Sequence, residues 1–113
     1  MKGLKMIIED NLKIAKLIDT YGALLTEKQY QIMTSYYFDN LTLSEIGDNL
    51  GISRQAVNDC LSQSVKILDN YEQKLAVIKK NDTIRLRLNN LLQNSTNEDL
   101  THKIQEIMEM LEE

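Results

Sequence analysis

Residues 42–61, TLSEIGDNLGISRQAVNDCL, have the pattern of two short helices joined by a tight turn. Gly51 stands where the first helix must end, and glycine readily adopts the left-handed conformation that such an end requires. Gly47 stands where we expect the two helices to lie closest, so that a larger side chain would hold them apart. The predicted motif core is Ile46, Gly47, Leu50, Gly51, Ile52, Val57 and Cys60. Because the five of these that are not glycine fall where the two helices must bury side chains against each other, the segment predicts a helix-turn-helix.

The polar residues of the motif have two predicted roles. Thr42 and Glu45 are spaced for a capping box, and Ser53 is suited to cap the second helix. The side chains left facing outward on that helix are short and polar, which are the types that read base edges in a major groove. With one lysine further along for a phosphate, the candidate nucleic-acid-binding residues are Ser53, Arg54, Gln55, Asn58, Asp59 and Lys66. The alternative is that the motif only packs helices and this face binds no nucleic acid.

Apolar residues recur at helical spacing along the rest of the chain, which has no proline, so the sequence predicts an all-α protein. We expect a first helix over about residues 5–21, ended by Gly22, with an apolar stripe of Ile7, Ile8, Leu12, Ala15 and Ile18. A second helix over about 26–38 begins with a Thr26–Gln29 capping box and buries Tyr30, Met33 and Tyr37. The aromatic cluster Tyr36, Tyr37 and Phe38 is expected in the core, with a base-stacking platform as the alternative.

The C-terminal half predicts a long helix followed by a helical extension. No glycine or proline interrupts residues 53–80, which favours a second motif helix of about seven turns, broken at Asn81-Asp82. A shorter helix, a polar loop at 93–97 and a last helix capped by Ser95 or Thr96 follow. We expect a helix-turn-helix domain at 1–80, with its motif at 42–61, and an acidic extension at 81–113. The candidate face of the last helix for a partner or for a second copy in a homodimer is Leu100, Ile104, Ile107, Met108 and Leu111.

Composition limits the classes of function. The net charge is −4 over 113 residues, and the excess lies in the tail, because residues 81–113 carry three basic and seven acidic side chains. The motif itself has one basic residue, Arg54, and three acidic residues, Glu45, Asp48 and Asp59. This charge balance disfavours binding to a phosphate backbone. One cysteine and one histidine disfavour a disulfide framework or a zinc site, and we expect no cofactor. Without a long apolar run or a signal peptide, a soluble cytoplasmic protein is expected.

Two resemblances follow from these motifs. Residues 25–68 resemble the promoter-reading C-terminal domain of bacterial sigma factors through LTLSEIG (41–47) and GISRQAV (51–57). The whole chain is more similar to the small YlxM family of Gram-positive bacteria. The residues that carry this resemblance are MIIEDNLKIAKLIDTYGALLTEKQ (6–29), the Tyr36-Tyr37 pair and SRQAV (53–57). That family joins the sigma-like motif to an N-terminal helix and an acidic helical extension. Many of its members have alanine where Gly47 stands, which we expect the packing to tolerate.

The resemblance implies a non-enzymatic regulatory protein of the signal recognition particle pathway, with the particle's RNA or its GTPase as partner. The family is linked to that pathway largely because its genes neighbour those of the targeting GTPase and its receptor. The alternative is a DNA-binding transcription regulator that reads a site as a dimer, with the second motif helix in the groove. A third hypothesis is an adaptor that holds another helix in the groove between the long helix and the tail.

Overall fold

The computed structural model describes residues 4–112, and the side chains of residues 10–112. Six α-helices make up most of that range, and it contains no strand. In chain order they are α1 (Leu4–Tyr21), α2 (Glu27–Tyr37), α3 (Leu43–Leu50), α4 (Arg54–Leu75), α5 (Val77–Asn94) and α6 (Glu98–Met110), with a 3₁₀ turn at Gly22–Leu24. The predicted all-α class is confirmed. No helix in the described range is long and apolar enough to cross a membrane.

Capping boxes begin two of the helices, as predicted. At α2, Thr26 Oγ1 accepts a hydrogen bond from the Gln29 amide at 3.2 Å, and Gln29 Oε1 accepts one from the Thr26 amide at 3.0 Å. Thr42 and Glu45 make the same reciprocal pair at α3, at 3.0 and 3.1 Å. Each box provides partners for amide groups that the start of a helix otherwise leaves without one.

The turn between α3 and α4 is set by two glycines. Gly51 is left-handed, with φ of 70°, and the amides of Gly51 and Ile52 both donate to the Gly47 carbonyl. A Cβ atom on Gly47 would lie 2.7 Å from the Ile52 carbonyl oxygen. The close contact at Gly47 is therefore with the backbone of the turn. The expectation that alanine is tolerated at position 47 is wrong for this geometry. Its Cβ would clash with the Ile52 carbonyl oxygen, which is fixed in the backbone and cannot move aside as the end of a flexible side chain can.

Helix α4 is central to the first of two compact units, which ends at Leu75. Helices α1, α2 and α3 all pack on it. The apolar core of this unit consists of Leu17, Ile18, Tyr21, Leu25, Ile32, Met33, Ile46, Val57, Leu61 and Leu68. At the far end of α4, the Tyr21 hydroxyl donates to Glu72 Oε1 at 2.6 Å, and the Tyr21 ring stacks on Tyr71. The end of α1 is thereby joined to the last turns of α4.

The buried face of α1 differs from the predicted stripe. Ile18 is buried as expected, but Leu12 is 61% exposed. Leu17, which the stripe omitted, is buried because α1 packs against two helices, α2 and α4, and so covers a wider face than one contact would. The side chains of Ile7 and Ile8 lie outside the described residues.

The buried face of α2 also differs from the prediction. It consists of Ile32 and Met33, whereas Tyr30 is 45% exposed and Tyr37 is half-buried. One side of the Tyr30 ring lies over Gly22, where a Cβ would come within 2.9 Å of the ring atom Cε2. The glycine accommodates the ring at the surface, and the other side of the ring faces solvent.

The predicted long helix is interrupted at Ala76. That residue is left-handed, with φ of 53° and ψ of 33°, so α4 ends at Leu75 after 22 residues. Helix α5 begins at the next residue, and the Lys80 amide donates to the Ala76 carbonyl at 2.9 Å. The break predicted at Asn81-Asp82 is wrong, because both residues lie inside α5. Alanine is the best helix former, so local propensity carries no signal for this interruption.

The second compact unit starts at Ala76 and contains the α5–α6 hairpin. Asn97 caps α6, since its Oδ1 accepts from the amides of Asp99 and Leu100 at 2.9 and 3.2 Å. The predicted cap at Ser95 or Thr96 is therefore wrong. Ser95 Oγ instead accepts from the Asn97 amide at 3.3 Å, which makes a local turn immediately before the cap.

The hairpin leaves much of its apolar surface uncovered. Ile104 is buried, whereas no residue of α5 is. Of the predicted partner face, Met108 and Leu111 are half-buried, and Leu100 and Ile107 are 50% and 48% exposed. The large apolar side chains exposed in this unit are Val77, Ile84, Leu86, Leu91, Leu100, Ile107 and Met110.

Candidate nucleic-acid interface

The outward face of the motif is positioned by the start of α4. Ser53 Oγ accepts a hydrogen bond from the Ala56 amide at 3.0 Å, which is the predicted cap. Val57 and Leu61, one turn apart, are buried and fix the rotation of α4 about its axis. The five candidate residues on the first two turns are therefore all exposed, and they are Ser53, Arg54, Gln55, Asn58 and Asp59.

The motif positions that were expected to pack are covered to different degrees. Ile46, Gly47 and Val57 are buried, Leu50, Ile52 and Cys60 are half-buried, and Gly51 is exposed at the turn. Cys60 Sγ lies 4.0 Å from the Oγ of Ser64, the buried polar side chain of α4. This packing holds the first turn of α4 rigidly against α3.

Two of the candidate residues bond to each other. The Gln55 side-chain amide donates to Asp59 Oδ1 at 2.9 Å, across one turn of α4. This bond uses one of the two N–H groups of the Gln55 amide and leaves the other N–H and the carbonyl oxygen for a base. The Arg54 side chain, in contrast, makes no hydrogen bond or ion pair with any residue from 10 to 112. Its guanidinium is the cation of this face that is available for a phosphate.

Two grooves border Arg54. One, of about 440 Å³, is lined by Leu43, Arg54, Gln55 and Asn58. The other, of about 500 Å³, is the tyrosine groove, and its lining includes Asn11, Tyr36, Tyr37, Asn40, Leu43 and Arg54. Because Leu43 and Arg54 line both grooves, the guanidinium can serve a ligand in either. Helices α1, α2 and α4 each contribute to the tyrosine groove.

Lys66 lies apart from these grooves. It lines a third groove with Lys13, Asp10 and Asp69, between α1 and the middle of α4. The twelve residues that separate it from Arg54 correspond to about 18 Å along the helix. The structure therefore brings Arg54 together with Gln55 and Asn58, and places Lys66 elsewhere on α4.

The aromatic cluster is not the core element that we expected. Tyr36 is 37% and Phe38 44% exposed. The rings of Tyr36 and Tyr37 meet edge to face, with centroids 4.9 Å apart. Burial raises the pKa of Tyr37 above its usual value, and Tyr36 raises it further. The sequence analysis did not predict that Asn11 and Asn40 lie near this cluster. Asn11 is 25 residues from Tyr36 in the sequence, and no motif or spacing links the two.

Titratable residues elsewhere form no recognisable metal site. Among residues 10–112 there is no group of three or more His, Cys, Asp or Glu side chains that could hold an ion. His102 is exposed, and its Nε2 lies 3.0 Å from Glu106 Oε1 on the same helix.

Comparisons with known proteins match nearly the whole chain. The UPF0122 family, described as "Putative helix-turn-helix protein, YlxM / p13 like", matches residues 8–110. A UPF0122 protein of Clostridium perfringens is 40% identical over 108 residues, which cover 94% of this chain and 96% of the relative. One of Fusobacterium nucleatum is 35% identical over 91% of this chain and 100% of its own. A UPF0122 protein of Symbiobacterium thermophilum is 42% identical, over 76% of this chain and 79% of the relative.

Proposed function

The chain belongs to the UPF0122 family of YlxM/p13-like proteins, and from that premise we propose that it is a non-enzymatic module whose motif face contacts nucleic acid. The observation that carries the proposal is the exposed first turn of α4, where Arg54 is unpaired among the described residues and borders two grooves. A helix N-terminus and a guanidinium together suit one phosphate. Asn58 lines one of these grooves, and a side-chain amide is suited to bond a base edge.

Charge supports an accessory role in preference to tight binding of duplex DNA. The motif has a balance of −2, from Arg54 against Glu45, Asp48 and Asp59. Non-specific affinity for duplex DNA comes mainly from phosphate contacts, and this face supplies few of them. The ligand that we propose, the signal recognition particle's RNA, comes from the resemblance to YlxM proteins. That role would place the protein in the cytoplasm.

The acidic extension supports the particle's GTPase as a second partner. On α6, Lys103 is paired with Asp99 at 3.2 Å and His102 with Glu106 at 3.0 Å. Glu109 lies on the same helix with no ion pair among the described residues. A surface of one charge attracts a partner surface of the opposite charge and raises the rate of association. The acidic extension would therefore attract a basic surface of the GTPase.

A DNA-binding regulator is the second candidate function. The exposed apolar surface of the α5–α6 hairpin favours this function because such a surface supports a homodimer. Uncovered apolar patches commonly mark protein interfaces. A dimer with twofold symmetry would present two motif faces, and two weak half-sites can then add to one specific site.

The test is a fluorescence titration of the full chain against random duplex DNA, promoter DNA of the neighbouring genes, the signal recognition particle RNA, and the particle's GTPase. Each titration is done at low and at physiological salt. We expect micromolar or tighter binding to the RNA that strengthens as salt falls. The variant Arg54→Ala should weaken that binding and reduce its salt slope by about one unit, because one phosphate contact is lost.

The matched control is Arg87→Ala, which removes the same charge from an exposed position of α5. Its binding to RNA should equal that of the unchanged protein. Preference for the promoter DNA would replace the accessory role by the regulator role. Absence of binding to every nucleic acid would refute the proposed use of the motif face.

A further inference from the structure

The tyrosine groove has the chemistry of a site for a single nucleotide, although its aromatic residues lie outside the second motif helix. Its volume, about 500 Å³, lies within the range of small-molecule sites. Among the residues that line it are an aromatic residue, Tyr36, two residues with side-chain amides, Asn11 and Asn40, and one with a guanidinium, Arg54. Aromatic rings stack on bases, amides bond to base edges, and a guanidinium binds phosphate.

The Tyr36 ring is held in place by its neighbours. The half-buried ring of Tyr37 contacts it edge to face at 4.9 Å, at an interplanar angle of 84°. Tyr36 is nevertheless 37% exposed, and its hydroxyl makes no hydrogen bond with the described residues. An aromatic side chain that already packs on a neighbour and is partly exposed can stack on a ligand with a smaller loss of conformational freedom than a fully mobile one.

Three polar side chains of the groove are without hydrogen-bond partners among the described residues. The side chains of Asn11, Asn40 and Arg54 make no hydrogen bond within the described part of the chain. Asn40 has φ of 57°, and the Leu41 amide beside it donates to the Ser35 carbonyl at 3.0 Å. The connection between α2 and α3 is thus fixed in a shape that brings Asn40 to the groove.

We propose that the tyrosine groove binds one unpaired nucleotide of a single-stranded nucleic acid, with its base stacked on Tyr36 and an adjacent phosphate against Arg54. Stacking does not depend on a basic surface, which this acidic chain lacks, and the faces of all bases can take part in it. In a duplex the bases are paired and stacked on each other, so their faces are not available to the ring. The inference rests on the proposed nucleic-acid function and adds that the site selects single-stranded over double-stranded nucleic acid.

The experiment measures fluorescence anisotropy of the full chain with labelled ten-nucleotide ligands: oligouridine, oligoadenosine, single-stranded DNA and a fully paired RNA duplex. We expect the single strands to bind more tightly than the duplex. Tyr36→Ala should weaken their binding about tenfold, because a stacking ring is lost. Tyr36→Phe keeps the ring and should bind as the unchanged protein does.

Salt dependence separates stacking from charge. Tyr36→Ala should leave the slope of affinity against salt unchanged, whereas Arg54→Ala should lower it by about 0.7, the value for one phosphate of a single strand. Tyr30→Ala is the matched control, since this tyrosine is also exposed on α2 but lines a different groove. It should bind the single strands as the unchanged protein does.

Each outcome bears on the inference. Equal affinity for single-stranded RNA and DNA supports a site that reads base and phosphate, and tighter RNA binding supports an added contact to the ribose hydroxyl. Single-strand binding that Tyr36→Ala leaves intact overturns the groove as the site. Duplex binding that depends on Arg54 but not on Tyr36 refutes the inference and leaves the proposed function standing. Binding to none of the ligands refutes both.

Discussion

At the scale of single residues, Gly47 shows how one position determines the motif. Its carbonyl accepts the amides of Gly51 and Ile52, and the space beside its Cα is filled by the Ile52 carbonyl, 2.7 Å from where a Cβ would be. The start of α4, and with it Arg54, is placed by this backbone contact. A side chain at position 47 therefore affects the site as well as stability.

The variant Gly47→Val should lower the free energy of unfolding by about 2 kcal/mol or more, because a branched side chain overpacks a contact made by backbone. Urea unfolding followed by circular dichroism measures the change. The control is Asn49→Val, which places the same residue at an exposed position of α3 and should cost well under 1 kcal/mol. Equal effects of the two substitutions would show that helix propensity alone is responsible and that the contact at Gly47 is unimportant.

At the scale of helices, the interruption at Ala76 divides a continuous apolar pattern into α4 and α5. A left-handed alanine costs about 1–2 kcal/mol relative to the right-handed form. The segment nevertheless contains no glycine or proline, and its apolar stripe passes through the break. Neither residue type nor apolar periodicity therefore predicts the interruption.

The variant Ala76→Gly should change the free energy of unfolding in opposite directions for a broken helix and for a continuous one. With the observed left-handed residue, glycine removes the steric cost, and the free energy of unfolding should rise by about 0.5–1 kcal/mol. In a continuous helix the same substitution would lower it by about 1 kcal/mol. Thermal unfolding of the full chain measures the sign. Ala56→Gly, inside α4, is the control and should destabilise the protein.

At the scale of the whole molecule, the two compact units differ in how well they bury their apolar residues. The unit that ends at Leu75 has a core drawn from four helices, whereas the α5–α6 hairpin buries Ile104 and leaves Leu100 and Ile107 half exposed. A hairpin of this kind is marginal by itself. We therefore keep the homodimer as a prediction, along with the division into a domain at 1–80 and an extension at 81–113.

The variant Ile107→Glu should convert the dimer into a monomer, because it places a charge in an apolar contact that must be desolvated. Sedimentation equilibrium at micromolar concentrations gives the mass directly. Leu12→Glu is the control, since this leucine is 61% exposed on α1 and should have no effect on the mass. A monomeric unchanged protein, or a dimer that persists in Ile107→Glu, would contradict the predicted interface.

The sequence by itself determined the features that depend on interactions between near neighbours. The capping boxes at Thr26 and Thr42, the cap at Ser53 and the left-handed turn at Gly51 each involve residues no more than five apart. Their geometry follows from residue type and spacing, and so does the all-α class. The exposed candidate residues at the start of α4 follow in turn from the motif.

The tertiary structure alone decided which residues meet across the fold. Asn11, Tyr36 and Arg54 share a groove although three different helices supply them. The Tyr30 ring lies over Gly22 at the surface, and α4 ends at Leu75, before the left-handed Ala76, against the local preference for helix. The groove and the Gly22–Tyr30 contact join residues from different segments, and helical periodicity carries no information about which partner a face will meet.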